Sequence, residues 1–156
     1  MTDAVNVGPG EGATIEGPAG GPLTFKVRGE QTDGRMMAFE NVIGPGDGPP
    51  LHVHAREDEA WYVIEGELRF RFDADLHSAR TGSFVYVPHG VAHCFQNVGD
   101  EPARILVLFT PSGMEAFFDR FSALPPDGLG PDVFRTLGAE VGMEVVGPPL
   151  AKSHPR

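Results

Sequence analysis

The 156-residue chain has almost no cysteine, few basic residues and no long apolar run. Its single cysteine, Cys94, excludes an internal disulfide framework and fits a reducing compartment. Twelve Lys and Arg stand against 22 Asp and Glu, a net charge of −10, and without a basic cluster nucleic acid is not an expected partner. No stretch approaches the roughly 20 apolar residues of a membrane helix, and no basic and then apolar N-terminal segment indicates secretion. We therefore expect a cytoplasmic protein with no membrane partner.

Turn-forming residues are abundant and divide the chain into short segments. Its 21 Gly and 15 Pro recur between short apolar runs, which is typical of an all-β sandwich or barrel. Residues 1–22, rich in Gly, Pro and Ala, are expected to form an extended arm or a partly disordered tail. Residues 23–110 are expected to form one β-barrel domain, because this length suits a single core. Residues 111–156 are expected to form a helical extension and a tail.

Eight runs within the expected β-domain have the composition or alternation of strands. In Leu68–Phe72 the apolar residues alternate with Arg69 and Arg71, as in a strand with one buried face. The predicted strands are Leu23–Arg28, Met36–Ile43, Leu51–His54, Ala60–Ile64, Leu68–Phe72, Ser83–Val87, His93–Asn97 and Arg104–Thr110.

The chain changes character after residue 110. Ser112 and Glu115 have the spacing of a capping box, which predicts a helix as far as about Ala123. The apolar face of this helix consists of Met114, Phe117, Phe118 and Phe121. We expect that face to pack on the β-domain, and the alternative is a lid over a pocket. A second helix is predicted for about residues 132–141, with Gly142 at its end, and a frayed tail is expected near the C-terminus.

Two motifs carry metal-type side chains at fixed spacing. The first is Gly46-x5-His52-x-His54-x4-Glu59-x6-Gly66 and the second is Gly82-x5-Pro88-x-Gly90-x2-His93-x3-Asn97. Together they offer three imidazoles and one carboxylate, a mixed nitrogen and oxygen set suited to a divalent transition metal with open positions. The sequence therefore predicts a metal site formed by His52, His54, Glu59 and His93. The set accepts Fe, Mn, Ni, Co, Cu or Zn, and its pattern does not choose among them.

Strand parity constrains how the first motif is arranged. His52 and His54 are two residues apart, so a strand places both imidazoles on one face. Glu59 is five residues after His54, so the chain must turn or bulge between them before Glu59 can point back. Trp61 should share the face of Glu59, and Tyr62 should face outward.

Strand parity also indicates which side chains of the second motif face the predicted metal site. Phe95 should share the face of His93, whereas Cys94 should face away as a buried thiol. Asn97 is expected to be a structural hydrogen-bonding residue that holds a turn. His77 is expected in an exposed polar turn. His89 lies in the Pro-Gly connection, where exposure and contact with substrate are the alternatives.

The two motifs closely resemble those of the cupin superfamily, because every fixed position of both patterns is present between about Pro45 and Thr110. The resemblance implies a double-stranded β-helix, or jelly roll, with the metal inside one end. It also implies His52, His54, Glu59 and His93 as ligands. The runs from Thr110 to Phe118 and from Gly142 to Pro149 resemble single-domain bacterial cupins described as quercetin-dioxygenase-like, a label that transfers the scaffold more safely than the substrate.

These features favour a metal-dependent dioxygenase of a small phenolic or enolisable substrate. Glu59 is expected to serve as both ligand and base. The expected substrate-binding wall consists of Phe39, Trp61, Phe84, Tyr86, Phe95 and Phe109. The alternatives are a non-oxidative cyclase, isomerase or lyase of secondary metabolism, and a small-molecule-binding protein without turnover. A small molecule, with O2 as a candidate co-substrate, is the expected partner, and a homodimer through outward residues such as Tyr62 and Ile64 is expected.

Overall fold

The computed structural model describes residues 2–130 and 132–155, and strands dominate it. The eleven strands in this part of the chain are β1 (Thr14–Glu16), β2 (Pro22–Val27), β3 (Met37–Ile43), β4 (Pro50–His54), β5 (Asp58–Glu65), β6 (Glu67–Phe72), β7 (Asp75–Arg80), β8 (Phe84–Val87), β9 (His93–Asn97), β10 (Ala103–Thr110) and β11 (Met143–Pro149). The α-helices are α1 (Glu115–Ala123), α2 (Val133–Ala139) and α3 (Leu150–Ser153), and short 3-10 helices span Gly29–Gln31 and Pro126–Gly128. No helix in the described residues is long and apolar enough to cross a membrane.

The strands form two antiparallel sheets. One sheet has six strands in the order β1-β2-β3-β10-β5-β8, and the other has five in the order β11-β4-β9-β6-β7. Strands that follow one another along the chain often lie in different sheets, as β4 and β5 do, and as β8 and β9 do. This confirms the predicted all-β jelly roll, formed as two separate sheets and not as a closed barrel.

The apolar core lies between the inner faces of the two sheets. In β5, Trp61 and Val63 are buried while Tyr62 is exposed, as the alternation of that strand predicts. In β6, Leu68 and Phe70 are buried, and Phe70 packs edge-on against Trp61 with ring centroids 5.2 Å apart. The core therefore includes β5, which carries Glu59 of the first motif, and β6, which follows that motif.

The C-terminal segment contributes more to the β-structure than the sequence predicts. Residues 143–149, expected to end in a frayed tail, form β11 and pair with β4. In that pairing Met143 lies opposite His54 and Val145 lies opposite His52. Leu150 of α3 is fully buried beside Cys94. The strand was missed because its Gly and Pro residues resemble a tail, and its register is shifted at two points by bulges.

Two other strands lie in segments that the sequence assigns to an arm or a turn. Within the expected arm, Thr14–Glu16 form β1, which pairs with β2 at the edge of the six-stranded sheet. Within the expected polar turn, β7 pairs with β6 and carries an exposed His77. Both are edge strands with little buried surface, and therefore they lack the apolar alternation on which strand prediction depends.

The two predicted C-terminal helices are present, with a different N-terminal cap on the first. The α1 helix begins at Glu115, and Ser112 makes no capping bond. Instead, the Glu115 carboxylate accepts the backbone N–H of Gly113 at 2.8 Å and that of Gly29 at 2.7 Å. Glu115 therefore links the start of α1 to the loop after β2. The α2 helix is followed by Gly142 with φ of 75°, as expected for a helix C-terminus.

Asn97 holds two loops together at the end of β9. Its Nδ2 donates to the carbonyl oxygens of Ile43 at 2.9 Å and Glu101 at 2.8 Å. Its Oδ1 accepts the backbone N–H of Gly99 at 2.9 Å, and its own carbonyl accepts the N–H of Gly46 at 2.9 Å. Asn97 is fully buried, so these bonds fix the connection that leads into β4. Its predicted structural role is confirmed.

Candidate metal centre

The four predicted ligands converge between the two sheets. His52 and His54 lie on β4 and His93 lies opposite His52 on β9, all in the five-stranded sheet, while Glu59 lies on β5 in the six-stranded sheet. All four side chains are buried, and their ligand atoms lie within 4.8 Å of one another. The bend at residues 55–57 moves the chain from one sheet to the other. The predicted turn is thus the step that brings Glu59 to the imidazoles.

Backbone carbonyls orient two of the three imidazoles. His52 Nδ1 lies 2.7 Å from the carbonyl oxygen of Pro50, and His93 Nδ1 lies 2.9 Å from that of Val91. A carbonyl oxygen can only accept, so each Nδ1 carries the proton and donates it. Each Nε2 is thereby left as the ligand atom. Such partners of the second ring nitrogen are typical of histidines that bind metal.

The Glu59 carboxylate interacts with two of the three imidazoles. Its Oε2 lies 2.9 Å from Nε2 of His93 and 3.1 Å from Nε2 of His54. Burial raises the pKa of Glu59, but the two close imidazoles outweigh burial and lower that pKa to about 2. Burial lowers the pKa of His93, yet its bond to Glu59 raises it overall. Burial, with the other two imidazoles, lowers the pKa of His52 to about 3. Glu59 is therefore ionised and His52 neutral at pH 7, the forms that metal binding requires.

The donor set fits a divalent transition metal. Both ring nitrogens of His54 are buried and make no hydrogen bond, although Nε2 lies within 3.1 Å of Glu59. A buried polar atom without a partner is costly, and a metal ion among the four side chains would satisfy Nε2. Three imidazoles and one carboxylate suit several first-row metals, so the residues fit such a cofactor without selecting one.

A small, largely apolar cavity opens onto His52, His54 and Glu59. Its volume is about 50 Å³, and apart from these three side chains the polar groups of its lining residues are the Asn41 amide and the indole N–H of Trp61, which is buried without a hydrogen-bond partner. Its apolar lining includes Phe39, Trp61, Phe95, Val107, Phe109, Met114, Phe117, Phe118, Phe134 and Met143. Four of the predicted wall residues are in this set: Phe39, Trp61, Phe95 and Phe109. Their role in binding a substrate stays a prediction.

Phe84 and Tyr86 do not line the cavity, so their placement in its wall was wrong. In β8 they face outward, with relative exposures of 66% and 55%. Phe84 pairs with Tyr62, itself exposed, and Tyr86 pairs with Ala60. Val87 of the same strand is buried. The Phe-Val-Tyr-Val run is apolar at every position, so alternation alone did not indicate which pair faces inward.

The roof of the cavity comes from segments that the sequence did not connect with the site. Met114, Phe117 and Phe118 of the α1 region are buried and line the cavity, so the helix is both packed on the β-domain and positioned over the site. Phe134 of α2 packs edge-on against His52, with ring centroids 6.1 Å apart. Ala19, from the predicted N-terminal arm, also lines the cavity. The amphipathic spacing predicted a packed α1 face, but no signal predicted Phe134.

A second carboxylate lies beside the site. Glu57 lies in the turn between β4 and β5, yet it is 1% exposed and neither of its oxygens has a hydrogen-bond partner. Its Oε2 lies 3.9 Å from Nδ1 of His54. Burial raises the pKa of Glu57, and the proximity of His54 opposes the shift.

The other two side chains considered in the sequence lie away from the cavity. His89 donates its backbone N–H to Asp58 at 2.9 Å, and its Nδ1 lies 2.8 Å from the same carboxylate on the outer surface. His89 is exposed, which favours the first of its two predicted alternatives. Cys94 is buried against Leu51 and Leu150, and burial raises its pKa to about 11. It is a structural thiol, as predicted.

Comparison with known proteins agrees with the fold and the ligand spacing. Residues 39–109 match the family model described as "Cupin domain". Over 70 residues, 45% of this chain and 46% of the relative, the chain is 33% identical to "Polyketide synthase CurC" of Streptomyces cyaneus. Over 92 residues, 56% of this chain and 19% of the relative, it is 27% identical to "Mannose-1-phosphate guanylyltransferase" of Escherichia coli K12. The chain thus spans less than half the length of these two curated relatives.

Solved structures show the same fold. An RmlC-like cupin from Shewanella frigidimarina superposes with a TM-score of 0.61 at 19% identity, covering 74% of this chain and 98% of that one. At this identity the likeness concerns the fold alone. The segment that carries all four candidate ligands thus matches the cupin family model, and the two-sheet jelly roll agrees with that match.

Proposed function

We propose that this protein is a metal-dependent dioxygenase of a small, largely apolar phenolic or enolisable compound. The observation that supports this most strongly is the combination of four buried ligand residues with a cavity whose remaining lining is almost entirely aromatic and aliphatic. Such a cavity suits a substrate with one or two ligating oxygens on an apolar body.

The chain's own residues account for binding and orientation. A bound first-row metal would supply Lewis acidity and, for a redox-active ion, access to O2 chemistry. His52, His54, Glu59 and His93 would hold it. Trp61 and the phenylalanines would exclude water from the substrate, which protects reactive species from side reactions. Glu59 is the one carboxylate among the described cavity-lining residues, so it is the proposed acceptor of a substrate hydroxyl or α-carbon proton.

The lining argues against a sugar as substrate, although one relative is named for a sugar phosphate. A carbohydrate needs a hydrogen-bond partner for most of its hydroxyl groups, because an unpaired buried polar group costs free energy. Apart from the candidate ligands His52, His54 and Glu59, the cavity wall offers the Asn41 amide and one indole N–H, that of Trp61, as polar groups. The Asn41 amide already donates to the carbonyl oxygen of Pro22 at 2.9 Å. The site therefore offers few partners to a polyhydroxylated molecule.

A second candidate is a metal-assisted cyclisation or isomerisation without O2. The relative named as a polyketide synthase protein favours it. Polyketides are built of enolisable carbonyl units. Glu59 would remove an α-carbon proton, the enolate carbon would attack a second carbonyl carbon of the same molecule, and the proton would return to that carbonyl oxygen, so this step needs no oxidant. The same apolar cavity would serve both reactions, so only the requirement for O2 separates them.

Oxygen consumption tests the proposal. Purified protein loaded separately with Fe, Mn, Co, Ni or Cu is mixed with a flavonol or a β-diketone in an oxygen electrode, with His93→Gln as the matched control. We expect O2 uptake coupled to loss of substrate with at least one metal, and none with the control. Substrate loss in anaerobic buffer would support the cyclisation instead. No substrate loss under either condition, despite tight substrate binding, would contradict both and indicate a binding protein.

A further inference from the structure

The three imidazoles of the metal centre differ in what faces their outer nitrogen. His52 and His93 each direct Nδ1 to a backbone carbonyl oxygen two residues earlier in the chain, at 2.7 and 2.9 Å. His54 has no such bond: its Nδ1 is buried without a hydrogen-bond partner. The nearest acidic group to this nitrogen is Glu57, whose Oε2 lies 3.9 Å away. His54 is thus the ligand whose ring orientation no backbone oxygen fixes.

The turn that carries Glu57 offers no hydrogen-bond donor to its buried carboxylate. Both carboxylate oxygens are buried and neither accepts a hydrogen bond in the described structure. The segment leading into α1 covers them, since a Cβ atom added at Gly113 would lie 3.6 Å from Oε1. Burying a carboxyl group without a hydrogen-bond partner lowers the stability of the protein, so we expect a buried group of this kind to have a functional role.

We propose that Glu57 is a positioning residue for the metal centre. Its carboxylate accepts the Nδ1–H of His54, which fixes the ring tautomer and directs Nε2 towards the other three ligands. A shift of about 1 Å converts the present separation into a hydrogen bond of ordinary length. Carboxylate–histidine–metal arrangements of this kind hold the ring and increase the basicity of the ligand nitrogen. Glu57 would also add a negative charge close to the cation.

This inference rests on the metal site of the proposed function, and on no particular reaction. Zinc affinity, measured by competition with a chromophoric chelator, is therefore the first test. We expect Glu57→Gln, which keeps the shape and an acceptor oxygen, to bind zinc about 10-fold more weakly, and Glu57→Leu to approach a 100-fold loss. If wild-type protein binds no zinc, cobalt or nickel, the metal site itself is refuted and the role of Glu57 with it.

A matched control separates positioning from general charge. Asp58 is the next residue, also carries a carboxylate and also contacts a histidine, but its partner is the exposed His89 outside the cavity. Asp58→Asn should leave zinc affinity within about 2-fold of the wild type, since an exposed charge is well screened. An equal loss in Asp58→Asn and Glu57→Gln would overturn the proposal.

Two further measurements distinguish a positioning role from a merely structural one. In the zinc form, long-range proton–nitrogen NMR should show His54 with its proton on Nδ1, and that proton should exchange faster or shift in Glu57→Gln. In a background carrying His54→Gln, the Glu57→Gln change should no longer affect zinc affinity. Full additivity of the two substitutions, or an unchanged His54 resonance together with unchanged affinity, would show that Glu57 does not act through His54. Because Glu57→Gln is isosteric, the test does not depend on the folding of the leucine variant.

Discussion

Removing the side chain of Asn97 should cost the protein a large part of its stability. In Asn97→Ala the carbonyl oxygens of Ile43 and Glu101 lose their donors, at 2.9 and 2.8 Å, and the Gly99 N–H loses its side-chain acceptor, at 2.9 Å. The Ile43 carbonyl lies in a buried environment, whereas water can reach the exposed Glu101 more easily. With about 1–3 kcal/mol for a buried group left unpaired, and less for one that water can reach, we expect a loss of about 2–4 kcal/mol.

Chemical denaturation by urea measures this loss, and two variants sharpen it. Asn97→Asp keeps the acceptor Oδ1 but replaces both donors with an oxygen that faces two carbonyls, so it should be less stable than Asn97→Ala. Asn6→Ala, at an exposed position, should change the free energy of unfolding by less than about 0.5 kcal/mol. If Asn97→Ala were as stable as Asn6→Ala, or if Asn97→Asp were the more stable of the two Asn97 variants, the assignment of Asn97 as the bond that holds these loops would be wrong.

Three further predictions concern the site and the surface. Glu59→Gln should lower zinc affinity at least about 10-fold, as seen by chelator competition, because it removes the one anionic ligand. In metal-free protein His52 is neutral when folded, with a pKa near 3 against its usual 6.5 when unfolded, so the unfolded state binds the extra proton between these values. The contribution of neutral His52 to the free energy of unfolding should therefore be complete above pH 6.5. As the pH is lowered towards 4, the free energy of unfolding should fall by up to about 1.4 kcal/mol per pH unit. Urea denaturation of His52→Gln should show a smaller slope. We propose a homodimer through Phe84 and Tyr86 of the edge strand β8 and Tyr62 of the neighbouring β5. These three exposed rings offer about 300 Å² towards the roughly 800 Å² per partner of a standard interface. Phe84→Asp should then give a monomer in light scattering, and a monomeric wild type would refute the proposal.

The ligands and the inner strands could be predicted because their signals are local. Spacing alone identified His52, His54, Glu59 and His93, and strand parity required the turn that the structure places at residues 55–57. Trp61 was assigned to the inner face correctly because it lies two residues after Glu59, so strand parity gives both side chains the same face. The same argument failed for Phe84, where every residue of the strand is apolar.

The remaining parts of the site depend on contacts between distant segments, which a single sequence does not reveal. Phe134 reaches His52 because α2 packs on β11. The strand β11 was not predicted, because Gly147 and Pro149 are uncommon in strands. The sequence did not single out Glu57, because acidic residues usually lie in solvent and its burial depends on the chain near Gly113 folding over it. Local composition carries no information on either arrangement.

The origin of the cavity wall has a consequence for how this domain can diversify. All four ligand residues lie within the 71 residues from 39 to 109 that match the family model, whereas much of the roof, including Ala19, Met114, Phe118 and Phe134, lies outside that range. A large share of the wall that would select a guest molecule is thus separate along the chain from the residues that would hold a cation. Insertions or substitutions in the flanking segments can alter the choice of guest molecule without disturbing the ligands, so grafting those flanks from a homologue should transfer substrate preference while metal affinity is retained.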